Sequence, residues 1–182
     1  ESGTGSVQIH AALTNTLLIA LASDDDTRLT VPAGVAIPAG LLSATFSLSA
    51  VDDNLTNGAQ LVAVHATAAG FVEGIQSLSV TDNDLHHFIW NPIGGPHPAG
   101  YPFALSFEAR TIDEGPVQPS LVMDVAFQAS NSNGVTVVSP LRSGAFIAGQ
   151  WAGLITIHQA GTGIRITADD GFGHTGQSGP FD

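Results

Sequence analysis

The stretch from residue 50 to residue 84 decides the fold. It opens with Ala50-Val51-Asp52-Asp53-Asn54, closes with Val80-Thr81-Asp82-Asn83-Asp84, and places a long alternating apolar run between them. The segment before it, residues 42–50, alternates in the same way. A period of two is typical of strands that bury one face. The pattern therefore predicts antiparallel strands bracketed by two loops that carry carboxylates.

The rest of the chain continues this pattern over 182 residues: short runs of Val, Ile, Leu and Thr lie between turn residues, without helical periodicity. This favours an all-β fold. A boundary is predicted at Asp84-Leu85, because a new strand series begins at His86-His87-Phe88-Ile89-Trp90. Each half has the strand spacing of a β-sandwich. We therefore expect two tandem antiparallel β-sandwiches, residues 1–84 and residues 85–182.

The strands can be placed from the alternation and from the Gly, Pro, Asn and Asp residues that interrupt it. Residues 1–5 are expected to be flexible. In the first half we expect extended segments at residues 6–13, 16–23, 28–37, 42–50, 60–69 and 75–81. In the second half we expect them at residues 86–90, around 103–107, and at 121–128, 134–139, 151–158, 161–168 and 173–182.

The charge balance excludes several partners. The chain has 16 acidic residues, four arginines and no lysine, and its formal net charge is −12. Binding to nucleic acid or to an anionic membrane surface requires clustered Lys and Arg, so neither partner is expected. No apolar run is long enough for membrane insertion. The chain has no cysteine, which fits an extracytoplasmic bacterial protein. The lack of a signal peptide or an initiating Met favours a piece of a longer protein.

Strand direction predicts where the acidic residues gather. Because neighbouring strands in a sandwich largely alternate in direction, loops alternate between its two ends. By this count all acids of residues 1–84 except Glu73 fall at the end where residue 84 leaves the first module. The same count brings four acids of the second half to this junction. These four are Asp113, Glu114, Asp169 and Asp170.

Two interpretations of this acidic end stay open. Like charges repel strongly in the low-dielectric rim of a fold, and a hard cation can neutralise them. Ca²⁺ takes six to eight oxygen ligands from carboxylates and carbonyls, so it suits such a cluster. The alternative is that these are solvated loop acids on an acidic surface.

A family resemblance rests on several motifs of the first half. These are Val31-Pro32-Ala33-Gly34 continuing to Gly40, Ser43-Ala44-Thr45-Phe46, the paired acids of Ala50-Val51-Asp52-Asp53-Asn54, and the closing Asp82-Asn83-Asp84. Together they resemble the Calx-β domain, in the form found in tandem in large bacterial surface proteins. The resemblance covers residues 1–84 and implies a seven-stranded sandwich, of which some members bind Ca²⁺ at one end.

The resemblance also implies a ligand set. By matching position, the ligands of the implied Ca²⁺ would be Glu1, Asp52, Asp53, Asp82 and Asp84. Two family features are missing: no acid follows the paired Asp within Thr56-Asn57-Gly58, and the Asp-Tyr segment after the second strand is absent. Asp24 and its neighbours Asp25 and Asp26 could substitute for that segment.

The second half is similar to Ig-like repeats of the filamin or invasin type. The motifs are Phe88 and Trp90, Pro102-Phe103, Gly149-Gln150-Trp151, the segment Ser143-Gly144-Ala145-Phe146, and the run from Asp169 to Gly176. This similarity implies a spacer or adhesion module without chemistry of its own.

The sequence offers little support for catalysis or for a zinc site. No HxH or HExxH pattern exists, and His86 and His87, as adjacent strand residues, point to opposite faces. No nucleophile elbow is present, and the acid pairs do not suggest glycoside hydrolysis. Trp90, Trp151 and Tyr101 could together form a surface on which a sugar stacks. Both tryptophans share strand faces with apolar residues, however, so we expect them to pack in the core instead.

We therefore predict a non-catalytic extracellular segment of a large bacterial surface or secreted protein. It would act as a stalk or adhesion element stiffened by Ca²⁺ at the module junction. Its partners would be neighbouring modules or other subunits, and surface glycans or proteins. Two alternatives stay open: carbohydrate-binding accessory modules of a secreted hydrolase, and a filament subunit assembled by strand exchange.

One further expectation concerns the edge of the first sheet. Calx-β domains begin with a strand that precedes the acid matched to Glu1, where this chain starts. The first sheet is therefore expected to have an open edge with unpaired backbone groups. Such an edge invites a strand from a neighbour. Residues 176–182 are a candidate donor, although Gly179-Pro180 is a poor strand former.

Overall fold

A computed structural model of the protein describes residues 1–118 and 123–182. The described residues form strands, turns and loops without a helix, which confirms the all-β prediction. No helix that could span a membrane is found among them. The chain divides into two compact units. The first is Glu1–Asn54 with Ala59–Thr81, and the second is Leu55–Gly58 with Asp82–Asp182.

Fifteen strands follow one another along the described residues. Those of the first unit are β1 (Ser2–Gln8), β2 (Leu17–Ser23), β3 (Leu29–Thr30), β4 (Gly34–Ile37), β5 (Ser43–Ala50), β6 (Gln60–Thr67) and β7 (Gly74–Val80). Those of the second unit are β8 (His87–Trp90), β9 (Pro102–Arg110), β10 (Ala126–Asn131), β11 (Gly134–Thr136), β12 (Val138–Ser139), β13 (Gln150–Ile157), β14 (Arg165–Asp169) and β15 (Thr175–Gln177).

The first unit is a sandwich of two antiparallel sheets. One has the order β1-β5-β3 and the other the order β4-β2-β6-β7. The alternation read from the sequence sets which side chains face inward: in β5, Phe46 and Leu48 are half-buried while Ser47 and Ser49 are exposed. On one side of the sandwich β4 contacts β5. On the other side β1 and β7 are the outer strands of their sheets.

The core of the first unit is small and divided. One buried cluster is formed by Ile9, Ile19, Leu21 and Ile37. A second is formed by Leu29, Val62 and Val64. Phe46, although it packs against both clusters, is not itself fully buried. The two inner faces therefore cover each other incompletely.

The second unit is a sandwich with one continuous core. Its sheets have the orders β11-β10-β14-β15 and β12-β13-β9-β8. Phe107 is 0% exposed and lies at the centre of an aromatic group. Its ring is 4.5 Å from that of Trp90 and 5.4 Å from that of Trp151, and it meets Phe88 edge-on at 5.7 Å. Such pairs add about 0.5–1.5 kcal/mol each beyond the area that they bury.

The edge strands β8 and β15 of the second unit approach each other closely. A Cβ placed on Gly176 in β15 would lie 2.1 Å from the backbone oxygen of Phe88 in β8. Only glycine permits this approach, because any side chain would overlap the neighbouring backbone. The second sandwich is therefore closed along the β8 and β15 side.

The boundaries of several predicted strands change. Residues 2–5, expected to be flexible, belong to β1, because β1 pairs with β5 from Ser2 onward. The extended segment 28–37 is two short strands in different sheets, separated around Pro32. The strand expected at residues 121–128 begins outside the described residues, and its described part is a strand only from Ala126. The closing segment forms β15 and then a bridge between Phe181 and Ile164.

Replacing Gly176 tests the closure of the second unit. We expect Gly176→Ala to lower the free energy of unfolding by roughly 1–3 kcal/mol, because the added methyl group must displace the Phe88 backbone. Gly179→Ala is the matched control, since a Cβ there meets nothing within 4 Å. Urea unfolding of both variants measures the difference. Equal stability of the two variants would contradict the close approach.

Candidate functional site

Two features of the molecule are candidate functional sites: the acidic residues, as metal ligands, and an apolar cleft in the first unit, as a binding site. The predicted ligands Glu1, Asp24, Asp52 and Asp53 belong to the first unit. Asp82 and Asp84 belong to the second. The predicted ligand set is therefore divided between the two units.

In the first unit the acidic loops next to β5 are held by an arginine. The backbone oxygen of Glu1 accepts a hydrogen bond from Ala50 N–H at 2.7 Å. The Arg28 guanidinium lies 3.5 Å from an Asp25 carboxylate oxygen and 4.0 Å from one of Asp53. Asp25 also accepts hydrogen bonds from the Thr27 hydroxyl and N–H, which lower the pKa of its carboxyl. The positive charge among these acids is thus supplied by the chain itself.

His65 joins two acids that the loop count separates. Its Nε2 lies 2.8 Å from an Asp24 oxygen, and its Nδ1 lies 2.7 Å from a Glu73 oxygen. The loop count placed Glu73 at the opposite end from Asp24, and the strand register agrees: Asp24 lies toward the start of β6 and Glu73 at its end. His65 reaches both side chains from within β6. The hydrogen bond to Glu73, and then the negative charge of Asp24, raise the pKa of His65.

Asp82 in the second unit holds the backbone of the segment 55–58. The N–H groups of Asn57 and Gly58 donate to its Oδ2 at 2.7 and 2.8 Å, and Asp84 N–H donates to its Oδ1 at 2.7 Å. Gly58 is buried and has a φ of 72°, a conformation that favours glycine. Both carboxylate oxygens of Asp82 are therefore used in fixing a loop.

The remaining candidate acids of the second unit serve the loops in which they lie or contact residues close by. Asp169 accepts a hydrogen bond from Gly171 N–H at 2.7 Å, and Asp170 binds the Nδ1 of His174 at 2.6 Å. Burial acts to raise the pKa of Asp170, but the hydrogen bonds from His174 and from the Phe172 N–H outweigh it and lower the pKa. A carboxylate oxygen of Glu114 lies 3.4 Å from His87 Nε2. Asp113 lies beside Gly58.

These residues do not fit the calcium ion that the family resemblance implies. Within residues 1–118 and 123–182, no group of three or more His, Asp or Glu side chains could hold a metal ion. The oxygens of Asp82 already accept three N–H groups, and Asp24 is bound to His65. Ca²⁺ needs six to eight oxygens around one point, and the carboxylates of Asp24 and Asp82 are instead directed to partners within the protein.

The apolar cleft lies between the two sheets of the first unit, on the side of β1 and β7. Its volume is about 480 Å³. Apolar side chains from both sheets line it, including Ile19, Phe46, Leu48, Ala66 and Leu78. Every lining residue is uncharged. On this side β1 is the outer strand of one sheet and β7 the outer strand of the other.

The aromatic residues do not form a sugar platform. Trp151 is buried, and its indole N–H donates to the Ser143 backbone oxygen at 2.6 Å. Trp90 stacks on Phe107 inside the second unit. Tyr101 is exposed, but neither tryptophan joins it on a surface. The expected core packing of both tryptophans is what the structure shows.

Comparison with known proteins supports the fold only. No protein-family model and no curated protein sequence matches the chain. The structure is similar to that of the calcium binding domain CBD12 of CALX1.1, with a TM-score of 0.50 and 11% identity over 92% of this chain and 73% of that one. CBD12 from CALX1.2 gives a TM-score of 0.48, with 12% identity over 92% and 72%.

A third similar structure comprises domains 4 and 5 of the S-layer protein SbsC. Its TM-score is 0.44, with 17% identity over 90% of this chain and 69% of that one. At such identities the likeness concerns the path of the backbone. The chain is a β-sandwich protein by its sheets, and its fold is like that of CBD12 of CALX1.1.

Asp82 can be tested as a loop-holding residue. We expect Asp82→Ala to lower the free energy of unfolding by about 1–3 kcal/mol, because three N–H groups lose a charged acceptor. The loss should be the same in millimolar Ca²⁺ and in EDTA. Asp26→Ala, at an exposed position, is the control and should change little. A loss that appears only in Ca²⁺ would show instead that Asp82 is a metal ligand.

The His65 contacts predict a dependence of stability on pH. The folded pKa is raised above the ordinary value of 6.5, so protonated His65 stabilises the fold fully below that pH. The contribution is lost as the pH rises through the folded pKa. We expect His65→Gln to melt at a lower temperature than the unsubstituted protein in mild acid, and at the same temperature in alkaline buffer. His10→Gln, at an exposed site in the same unit, should show no such trend.

Proposed function

We propose that the chain is a non-catalytic structural segment, a stalk or adhesion element, of a large bacterial surface or secreted protein. One observation carries the proposal: the acidic side chains hold loops in place. Asp25, Asp82, Asp124 and Asp170 each accept hydrogen bonds from backbone N–H groups. Aspartate carboxylates used in this way make loops rigid. Among the described residues they are not arranged as a catalytic site.

The packing of the second unit supports the same function. The second unit has a continuous aromatic core and a closed side, as expected of a module that resists deformation. The proposed domains remain residues 1–84 and residues 85–182. The proposed partners are neighbouring modules of the same protein or other subunits. Calcium is not part of this proposal, because no group of three or more His, Asp or Glu side chains among the described residues could hold a metal ion.

The carbohydrate-binding alternative has no observation in its favour, since both tryptophans are used in the core. The strand-exchange alternative has one, the apolar cleft of the first unit. A cleft of this kind, between two outer strands, is where an added strand would lie.

Mechanical unfolding tests the structural function. The whole protein is held by its two ends and stretched in an atomic force microscope. We expect two unfolding events, each lengthening the chain by about 3.5 Å for every residue of one unit. Gly176→Ala should weaken only the event of the second unit. Extension without a distinct force peak would contradict a load-bearing role.

A further inference from the structure

The first sandwich has two unpaired edges that face one cleft. In the described part of the chain, β1 pairs only with β5 and β7 pairs only with β6. The cleft of about 480 Å³ lies between these two outer strands. An exposed edge beside an uncovered apolar interior is normally blunted by charge, by proline or by a covering segment. None of the residues of β1 or β7 is charged or a proline.

The hydrogen-bond alternation shows which backbone groups face the cleft side. Glu1 and Ile9, which flank β1, bond toward β5. In an antiparallel pair such bonds alternate along the strand, so Ser2, Thr4, Ser6 and Gln8 direct their N–H and C=O groups outward. In the other sheet, Asp24 N–H donates to the Ala63 oxygen, so Ala63 bonds toward β2 and its neighbours in β6 bond toward β7. The register between β6 and β7 then fixes which groups of β7 point outward. There the outward groups belong to Ile75, Ser77 and Ser79.

The second unit shows what a completed side looks like. Its outer strands β8 and β15 approach until only Gly176 fits between them, and its buried residues form one cluster. In the first unit no such approach occurs between β1 and β7, and the buried residues form two clusters. The first sandwich therefore leaves a cleft between its outer strands, whereas the second is closed.

We propose that the cleft binds one extended peptide segment, which adds a β-strand to the first sandwich. The segment is about seven residues long, like β1 and β7. It carries apolar residues at alternate positions, because most of the lining is apolar and none of it is charged. Its other residues are neutral or cationic, because the chain has a net charge of −12. A compact small molecule would leave the outward backbone groups unpaired, whereas a strand satisfies them.

The segment comes from a polypeptide other than a second copy of the described residues. Residues 176–182, considered as a donor, are committed to their own unit: Ser178 and Phe181 are buried, and Phe181 exchanges backbone hydrogen bonds with Ile164. Two copies of a chain with a net charge of −12 also repel each other. This inference goes beyond the structural role proposed above and does not depend on it.

Peptide binding to the whole protein tests the proposal. The probe is a synthetic peptide of about nine residues, with valine and isoleucine at alternate positions and threonine and lysine between them. The control peptide has the same composition with its apolar residues adjacent. We expect the alternating peptide to bind at least tenfold more tightly in calorimetric titration, and to raise the melting temperature. Equal affinity of the two peptides would overturn the proposal.

Proline substitutions test whether backbone edges are used. Ser6→Pro and Ser77→Pro each remove one outward N–H from the cleft side, and prolines are tolerated at sheet edges. We expect at least one of them to weaken peptide binding by tenfold or more. Ala36→Pro in the outer strand β4, away from the cleft, is the matched control and should bind normally. If both cleft-side variants bind the peptide like the unsubstituted protein, strand addition is wrong.

A substitution that fills the cleft distinguishes two causes of lost peptide binding, a blocked cleft and a destabilised fold. Ala66 lines the cleft, so Ala66→Leu should occupy part of it, raise the melting temperature and weaken peptide binding at least tenfold. A destabilised protein could not give that combination. Unchanged peptide affinity in a more stable Ala66→Leu variant would overturn the proposal. So would sedimentation that shows a dimer abolished by Ala66→Leu, because the occupant would then be a second copy.

Discussion

A β-sandwich is stabilised mainly by covering the inner faces of its two sheets, and this requirement governs both units. In the second unit the requirement is met: Phe107 is enclosed by aromatic neighbours, and Gly176 lets the outer strands close together. In the first unit it is met only in part, because Phe46 and Leu48 line an open cleft. A fully buried side chain of this size contributes about 1.5–3 kcal/mol, so incomplete burial limits the stability of that unit.

The acidic composition has a structural explanation at several positions. Asp82 gathers three N–H groups of a loop that contains the positive-φ residue Gly58, and Asp170 fixes the turn between β14 and β15. Turns that leave N–H groups without strand partners need acceptors, and a carboxylate can accept several at once. Acids in a β-protein's loops therefore need no metal to account for them.

His65 shows how charge and sheet geometry combine. As a β6 residue on the outer face of its sheet, it binds Asp24 beyond β2 and Glu73 before β7. The three side chains tie together segments whose backbones meet only through β6. The outer strand β7, which borders the cleft, is thus anchored at its beginning by a contact that depends on protonation.

The sequence alone determined the all-β class, the inward positions of β5 and the core packing of Trp90 and Trp151, because alternation records which side of a strand is apolar. The contacts of the acids were decided only by the tertiary structure. Loop parity places a residue at one end of a sandwich, but a side chain such as His65 reaches along the sheet. Whether Asp82 meets an ion or three N–H groups depends on how residues 55–58 fold against it, and local periodicity does not encode that contact.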